Sequence, residues 1–99
     1  MKPLPLDAVE AALGTLPGWS RSGDALERTL RFPGFTGAIV FMHDCAPEID
    51  ALDHHPEWTN VYNTVRVRLT THDAGDKITD QDLALARLLS AKALLHGGA

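Results

Sequence analysis

The stretch Trp58-Thr59-Asn60-Val61-Tyr62-Asn63-Thr64-Val65-Arg66-Val67-Arg68-Leu69-Thr70 decides the fold. Val65, Val67 and Leu69 alternate with Arg66, Arg68 and Thr70, the period of two that sends successive side chains to opposite faces of a strand. Val61 precedes the turn-like pair Tyr62-Asn63, so the segment predicts a half-buried hairpin, apolar on one face and charged on the other. Upstream, Ser22-Gly23-Asp24 is a turn cluster. It is followed by Leu26, Thr29, Leu30 and Phe32 interleaved with Glu27, Arg28 and Arg31, which predicts another hairpin.

Helical patterns surround these hairpins. Leu6, Val9, Leu13 and Leu16 recur at helical spacing before Pro17-Gly18, predicting a first helix over residues 6 to 15. After Pro33-Gly34, the residues Phe35, Ala38, Ile39, Met42, Ala46, Ile49 and Leu52 follow one helical face and predict the longest helix. Pro47 lies inside it; an interior proline removes a backbone hydrogen bond at a cost of about 3 kcal/mol, which predicts a kink or a split near Asp44. Thr79-Asp80-Gln81-Asp82 has the form of a capping box, with Ile78 and Leu83 as the flanking staple. The helix it opens buries Leu85, Leu88, Leu89 and Ala93, and His96-Gly97-Gly98-Ala99 reads as a frayed end. The order α-β-β-α-β-β-α predicts an α+β two-layer fold. A four-stranded antiparallel sheet carries three helices on one face and leaves the other partly open.

At 99 residues, with 44% hydrophobic and 22% charged residues, the chain has the size and composition of one globular domain spanning residues 1–99. Its formal charge of −4 and mixed signs offer no basic stripe for nucleic acid or an anionic membrane surface. The lone Cys45 cannot form an internal disulfide, and no apolar run reaches the roughly 20 residues that span a bilayer, so a cytoplasmic setting is expected.

Chemistry concentrates in Asp53-His54-His55-Pro56-Glu57-Trp58 and Thr71-His72-Asp73, both at element ends. Imidazole titrates nearest neutral pH, which makes acid–base catalysis the leading reading of His54, His55 and His72. Asp50 precedes His54 by four residues, so on a continuing helix the two would hydrogen-bond. A zinc site built from the same histidines and Asp50 is the sharper rival, although the compact His-Glu-x-x-His spacing is absent. The bland alternatives stand beside these: surface histidines at a helix exit, Asp82 as a simple helix cap, Trp58 and Tyr62 as core aromatics rather than stacking platforms, and Arg66 and Arg68 as a solvated face or an interface.

Asp50-x-x-x-His54-His55-Pro56-x-Trp58-x-Asn60-Val61-Tyr62-Asn63, followed by Leu69-Thr70-Thr71-His72-Asp73, resembles the signature of the pterin-4a-carbinolamine dehydratase family. Gly18-Trp19, Phe32-x-Gly34-Phe35 and Ala38-Ile39-x-Phe41-Met42 extend the resemblance over practically the whole chain. It implies the architecture read above, assembly into homodimers or homotetramers through sheet edges and helices, and dehydration of a 4a-hydroxytetrahydropterin without cofactor or metal. It further implies active-site roles for His54, His55, His72, Asp50 and Asp82, with Asp53, Thr70, Thr71 and Asp73 flanking the pterin. Three departures stand out. Gly75-Asp76-Lys77-Ile78 is one residue longer than the usual spacing, Asp50 replaces a glutamate, and Pro47 is unexpected in the long helix. Other roles implied by the family are binding to the dimerisation helices of a transcription factor and a part in molybdopterin metabolism.

Overall fold

In the computed structural model, which describes residues 2–99, the chain runs α1 (Leu6–Leu13), β1 (Ser20–Ser22), β2 (Ala25–Arg31), α2 (Phe35–Leu52), β3 (Glu57–Val61), β4 (Thr64–Leu69), a 3-10 turn (His72–Ala74) and α3 (Asp80–Leu95). The strands form one antiparallel sheet in the order β1-β2-β4-β3. The turn between β3 and β4 is Tyr62-Asn63, with Tyr62 at a left-handed φ of 52°. The side-chain amide of Asn63 donates to the Phe32 carbonyl at 2.9 Å and ties this turn to the end of β2.

Pairing register sets the two faces. Leu26 sits opposite Leu69 and Leu30 opposite Val65, so Leu26, Leu30, Val65, Val67 and Leu69 all enter the core beneath the helices. The reverse face carries Glu27, Thr29, Arg66 and Arg68, with Arg68 Nε 3.4 Å from Glu27 Oε2. The predicted two-layer architecture is therefore the observed one. Among the described residues no helix is long and apolar enough to cross a membrane.

The long helix differs from its expected phase. Its buried residues are Ala38, Phe41, Cys45 and Ile49, whereas Phe35 and Ile39 are 52% and 41% exposed and Ala46 faces out. The helix is apolar on two sides, and the side carrying Phe41 takes the core, its ring centroid 4.9 Å from that of Phe32 and 6.2 Å from that of Trp58. Nor does Pro47 split the helix, which runs unbroken from Phe35 to Leu52. The carbonyl four residues earlier belongs to His43, which like Pro47 lies on an exposed side of the helix.

Both ends of the chain also depart from expectation. Helix α1 stops at Leu13 because Pro17 disfavours helical geometry at Leu16; Thr15 and Leu16 close the end with bonds to the Ala12 and Leu13 carbonyls. Leu16 is buried but Leu6 stays exposed. The C-terminal residues are not frayed. Ala99 and Arg31 exchange two backbone hydrogen bonds of 2.9 and 3.0 Å, and Gly98 packs so closely on Phe32 that a β-carbon there would lie 2.6 Å from the ring. Ala at position 47 would restore one helical bond, less the entropy the proline removes from the unfolded chain. Pro47→Ala is expected to raise stability by about 1–2 kcal/mol in urea denaturation.

Candidate active site

The junction between α2 and β3 places the first two histidines. Asp53 takes left-handed backbone angles (φ 53°, ψ 40°), which end the helix, and its N–H donates to the Asp50 carbonyl at 3.0 Å. Pro56 then disfavours helix at His55, and the chain runs on into β3. This reversal cancels the four-residue helical spacing on which an Asp50–His54 pair depended. Asp50 Oδ1 instead lies 2.8 Å from His55 Nε2, while His54 Nε2 lies 2.6 Å from Asp82 Oδ1. Of the two neighbouring rings, His54 turns inward, its side chain 10% exposed, and His55 outward.

Asp82 is fully buried and all its partners donate to it. Oδ2 accepts from the Thr79 backbone N–H at 2.9 Å and from Thr71 Oγ1 at 2.8 Å, and Oδ1 takes His54. Thr71 has one hydroxyl hydrogen and gives it to Asp82, so the 2.7 Å contact between Thr71 and Thr79 has Thr79 as donor. Thr79 Oγ1 in turn accepts from Gln81 N at 3.3 Å, completing the cap of α3. Asp82 thus caps the helix and holds a histidine at once. Because the carboxylate accepts, His54 carries its hydrogen on Nε2, leaving Nδ1 without a proton in the neutral ring.

His72 stands on the 3-10 turn with its side chain 91% exposed, and its Nδ1 lies 2.9 Å from Asp76 Oδ1. That hydrogen bond, then the charge of Asp76, and to a smaller extent that of Asp73, raise the His72 pKa above the ordinary imidazole value. In Gly75-Asp76-Lys77-Ile78 the chain turns sharply: Gly75 and Asp76 take φ of 77° and 60°, and Thr71 bridges to Lys77.

Two of the flanking residues, Thr70 and Thr71, bond to the scaffold. Thr71 is buried and its N–H donates to the Lys77 carbonyl at 2.9 Å, while Thr70 Oγ1 donates to the Asp24 carbonyl at 2.9 Å. The Thr71 carbonyl accepts from Ala74 and Asp76. The main chain at Thr71 is occupied in closing the turn. Trp58 packs half-buried against Phe41, and Tyr62 is 65% exposed at the hairpin tip.

Residues 2–91 match the family model described as pterin 4 alpha carbinolamine dehydratase. The chain belongs to the pterin-4a-carbinolamine dehydratase family. It is similar to proteins named "Putative pterin-4-alpha-carbinolamine dehydratase" from Opitutus terrae (54% identity, covering 80% of this chain and 81% of the relative) and Nitrobacter winogradskyi (46%, covering 93% and 92%). A crystal structure of a transcriptional coactivator/pterin dehydratase from Brucella melitensis superposes with a TM-score of 0.88 at 37% identity, covering 93% of this chain and 99% of that one. The dehydratase family defines the enzyme class, a hydro-lyase acting on a pterin carbinolamine.

Within this dehydratase fold, the structure joins His54, Asp82 and Thr71 directly, and chain continuity sets His72 beside Thr71. His55 and Asp50 form a separate exposed pair. Among the described residues no three His, Cys, Asp or Glu side chains converge as metal ligands, since each of the three histidines meets its own acid. Two contributors escaped the sequence reading. Asp76 was visible as an acid four residues after His72, and Thr79 was recognised only as a cap. Asp76→Asn removes the partner that raises the His72 pKa, so the NMR titration midpoint of the His72 ring protons is expected to move to lower pH.

Proposed function

We propose that this chain dehydrates a 4a-hydroxytetrahydropterin to the quinonoid dihydropterin, in recycling of tetrahydrobiopterin, with His72 as general acid and His54 as general base. The observation that carries this reading is the pairing of each of these rings with one carboxylate at one nitrogen, which leaves the other nitrogen for a substrate.

The reaction breaks the C4a–O bond and the N5–H bond and forms C4a=N5. The leaving oxygen takes a proton and departs as water with the C–O electron pair; the N5–H pair becomes the new double bond. Protonated His72 supplies the first proton from Nε2, since Asp76 holds Nδ1 and keeps the ring charged to higher pH than an ordinary histidine. Neutral His54 accepts the second at Nδ1, and Asp82 stabilises the imidazolium that results. His55, held by Asp50, positions the pterin ring, with Asp53, Thr70 and Asp73 at the rim and Thr71 acting through Asp82. Stopped-flow absorbance of freshly generated 4a-hydroxytetrahydropterin tests the assignment. The wild-type chain accelerates its decay, and His54→Ala and His72→Ala each lose about 10²- to 10⁴-fold while keeping the circular dichroism of the fold. Wild-type decay at the spontaneous rate would sink the proposal.

The exposed apolar side of α2 supports assembly into a homodimer or homotetramer. Phe35, Ile39 and Val40, at 52%, 41% and 41% exposure, lie together on a helix whose opposite side already fills the core. Sedimentation velocity is expected to give a mass above one chain for the wild type and a shift toward one chain for Ile39→Asp.

A further inference from the structure

Arg28 occupies an unusual place for a cation. Its neighbours two residues away on β2, Leu26 and Leu30, face the helices, and Arg28 pairs in register with buried Val67, so its side chain enters the helical layer. There Nη1 donates to Ser90 Oγ at 2.9 Å, and the guanidinium lies against the backbone of Gly18, where a β-carbon would come within 2.8 Å of Nε. Burial lowers the Arg28 pKa, although a guanidinium keeps its charge at neutral pH.

Among the described residues neither Arg28 nor Arg87 forms an ion pair, in a chain whose formal charge is −4. Both line a cavity of about 390 Å3 that contains no carboxylate. Ser90 completes its polar side. Its Oγ accepts from Trp19 Nε1 at 2.8 Å and from Arg28, so its own hydrogen is free to donate outward. Leu16, Pro17 and Leu94 supply an apolar wall. Ser90 lies two turns of α3 beyond Asp82, about 12 Å along the axis, so this cavity is separate from the histidines.

We propose that the cavity between the α1–β1 connection and α3 binds a small organic phosphate monoester, its phosphate held by Arg28, Arg87 and Ser90 and its apolar part against Leu16, Pro17 and Leu94. Two cations and a free hydroxyl match a group with three terminal oxygens and nearly two negative charges; a carboxylate leaves one cation uncompensated. The volume lies within the range of small-molecule pockets rather than flat partner surfaces.

Trp19 provides the readout, because its indole N–H donates to the same Ser90 hydroxyl. In 1H–15N spectra, phenyl phosphate is expected to shift the Trp19 indole resonance saturably at millimolar concentrations and leave that of Trp58 in place. Inorganic phosphate and benzoate bind more weakly, the first lacking the apolar part and the second a charge. Arg87 is exposed, so Arg87→Gln keeps the fold and weakens phenyl phosphate at least about tenfold. An unmoved Trp19 resonance, or equal binding by Arg87→Gln, would overturn the site. Benzoate binding as tightly as phenyl phosphate would overturn its assignment to phosphate, and inorganic phosphate doing so would overturn its apolar half.

Discussion

The buried carboxylate of Asp82 is the point on which the rest of the arrangement turns. Three segments distant in sequence meet on its two oxygens: the exit of α2 through His54, the chain after β4 through Thr71, and the start of α3 through the Thr79 N–H. A buried acid without such partners would carry a desolvation penalty of several kcal/mol, so the segments are held to the carboxylate as much as it is held to them. Its position in the first turn of α3 adds the favourable interaction of a negative charge with the helix N-terminus. Hydrogen bonding, capping and dipole all demand the same atom positions. Small displacements of any one segment therefore disturb the orientation of His54.

The second constraint is the left-handed residue at the end of α2. Asp53 at φ 53° is an uncommon conformation for a residue other than glycine, and it lets the chain leave the helix abruptly. Without that reversal, His54 would remain on the surface of α2 beside Asp50, as helical spacing suggests. With it, His54 reaches Asp82 across a separation of 28 residues, and Asp50 is left for His55. The choice of partner is thus made by one backbone angle.

These two constraints explain what could and could not be read from the chain. The β3–β4 hairpin, the capping box and the clustering of histidines at element ends were legible because period-two alternation, short-range capping and loop placement are local signals. The phase of α2 was not, because Phe35, Ile39 and Ala46 compete with Phe41 and Cys45 for the buried side, and only the sheet beneath decides. Likewise the anchoring of the C-terminal residues depends on the unpaired edge of Arg31 and on the Phe32 ring, neither of which is near Ala99 in sequence. Asp82 looked like a cap and is one; its further bond to His54 is long-range and leaves no local trace.

The three histidines differ chiefly in what surrounds them, and that difference bears on how a proton could be exchanged without moving the scaffold. His54 is enclosed and rigidly oriented, whereas His72 stands in water on a turn closed by its own backbone: Gly75 donates to the His72 carbonyl and Thr71 to Lys77, each at 2.9 Å. A histidine whose folded pKa is raised adds stability at pH below its unfolded pKa and loses it as pH rises through the folded value. For His72 that contribution is screened by solvent at a fully exposed ring, and the backbone bonds of the turn do not depend on it. Change of protonation at His72 consequently alters its charge and leaves the backbone bonds of the turn in place. An acid that must be reloaded with a proton at each turnover is well served by contact with water, while a base that must strip a proton from a ring nitrogen is better served by a fixed and enclosed position. With His72 proposed as the acid and His54 as the base, their exposures match that division.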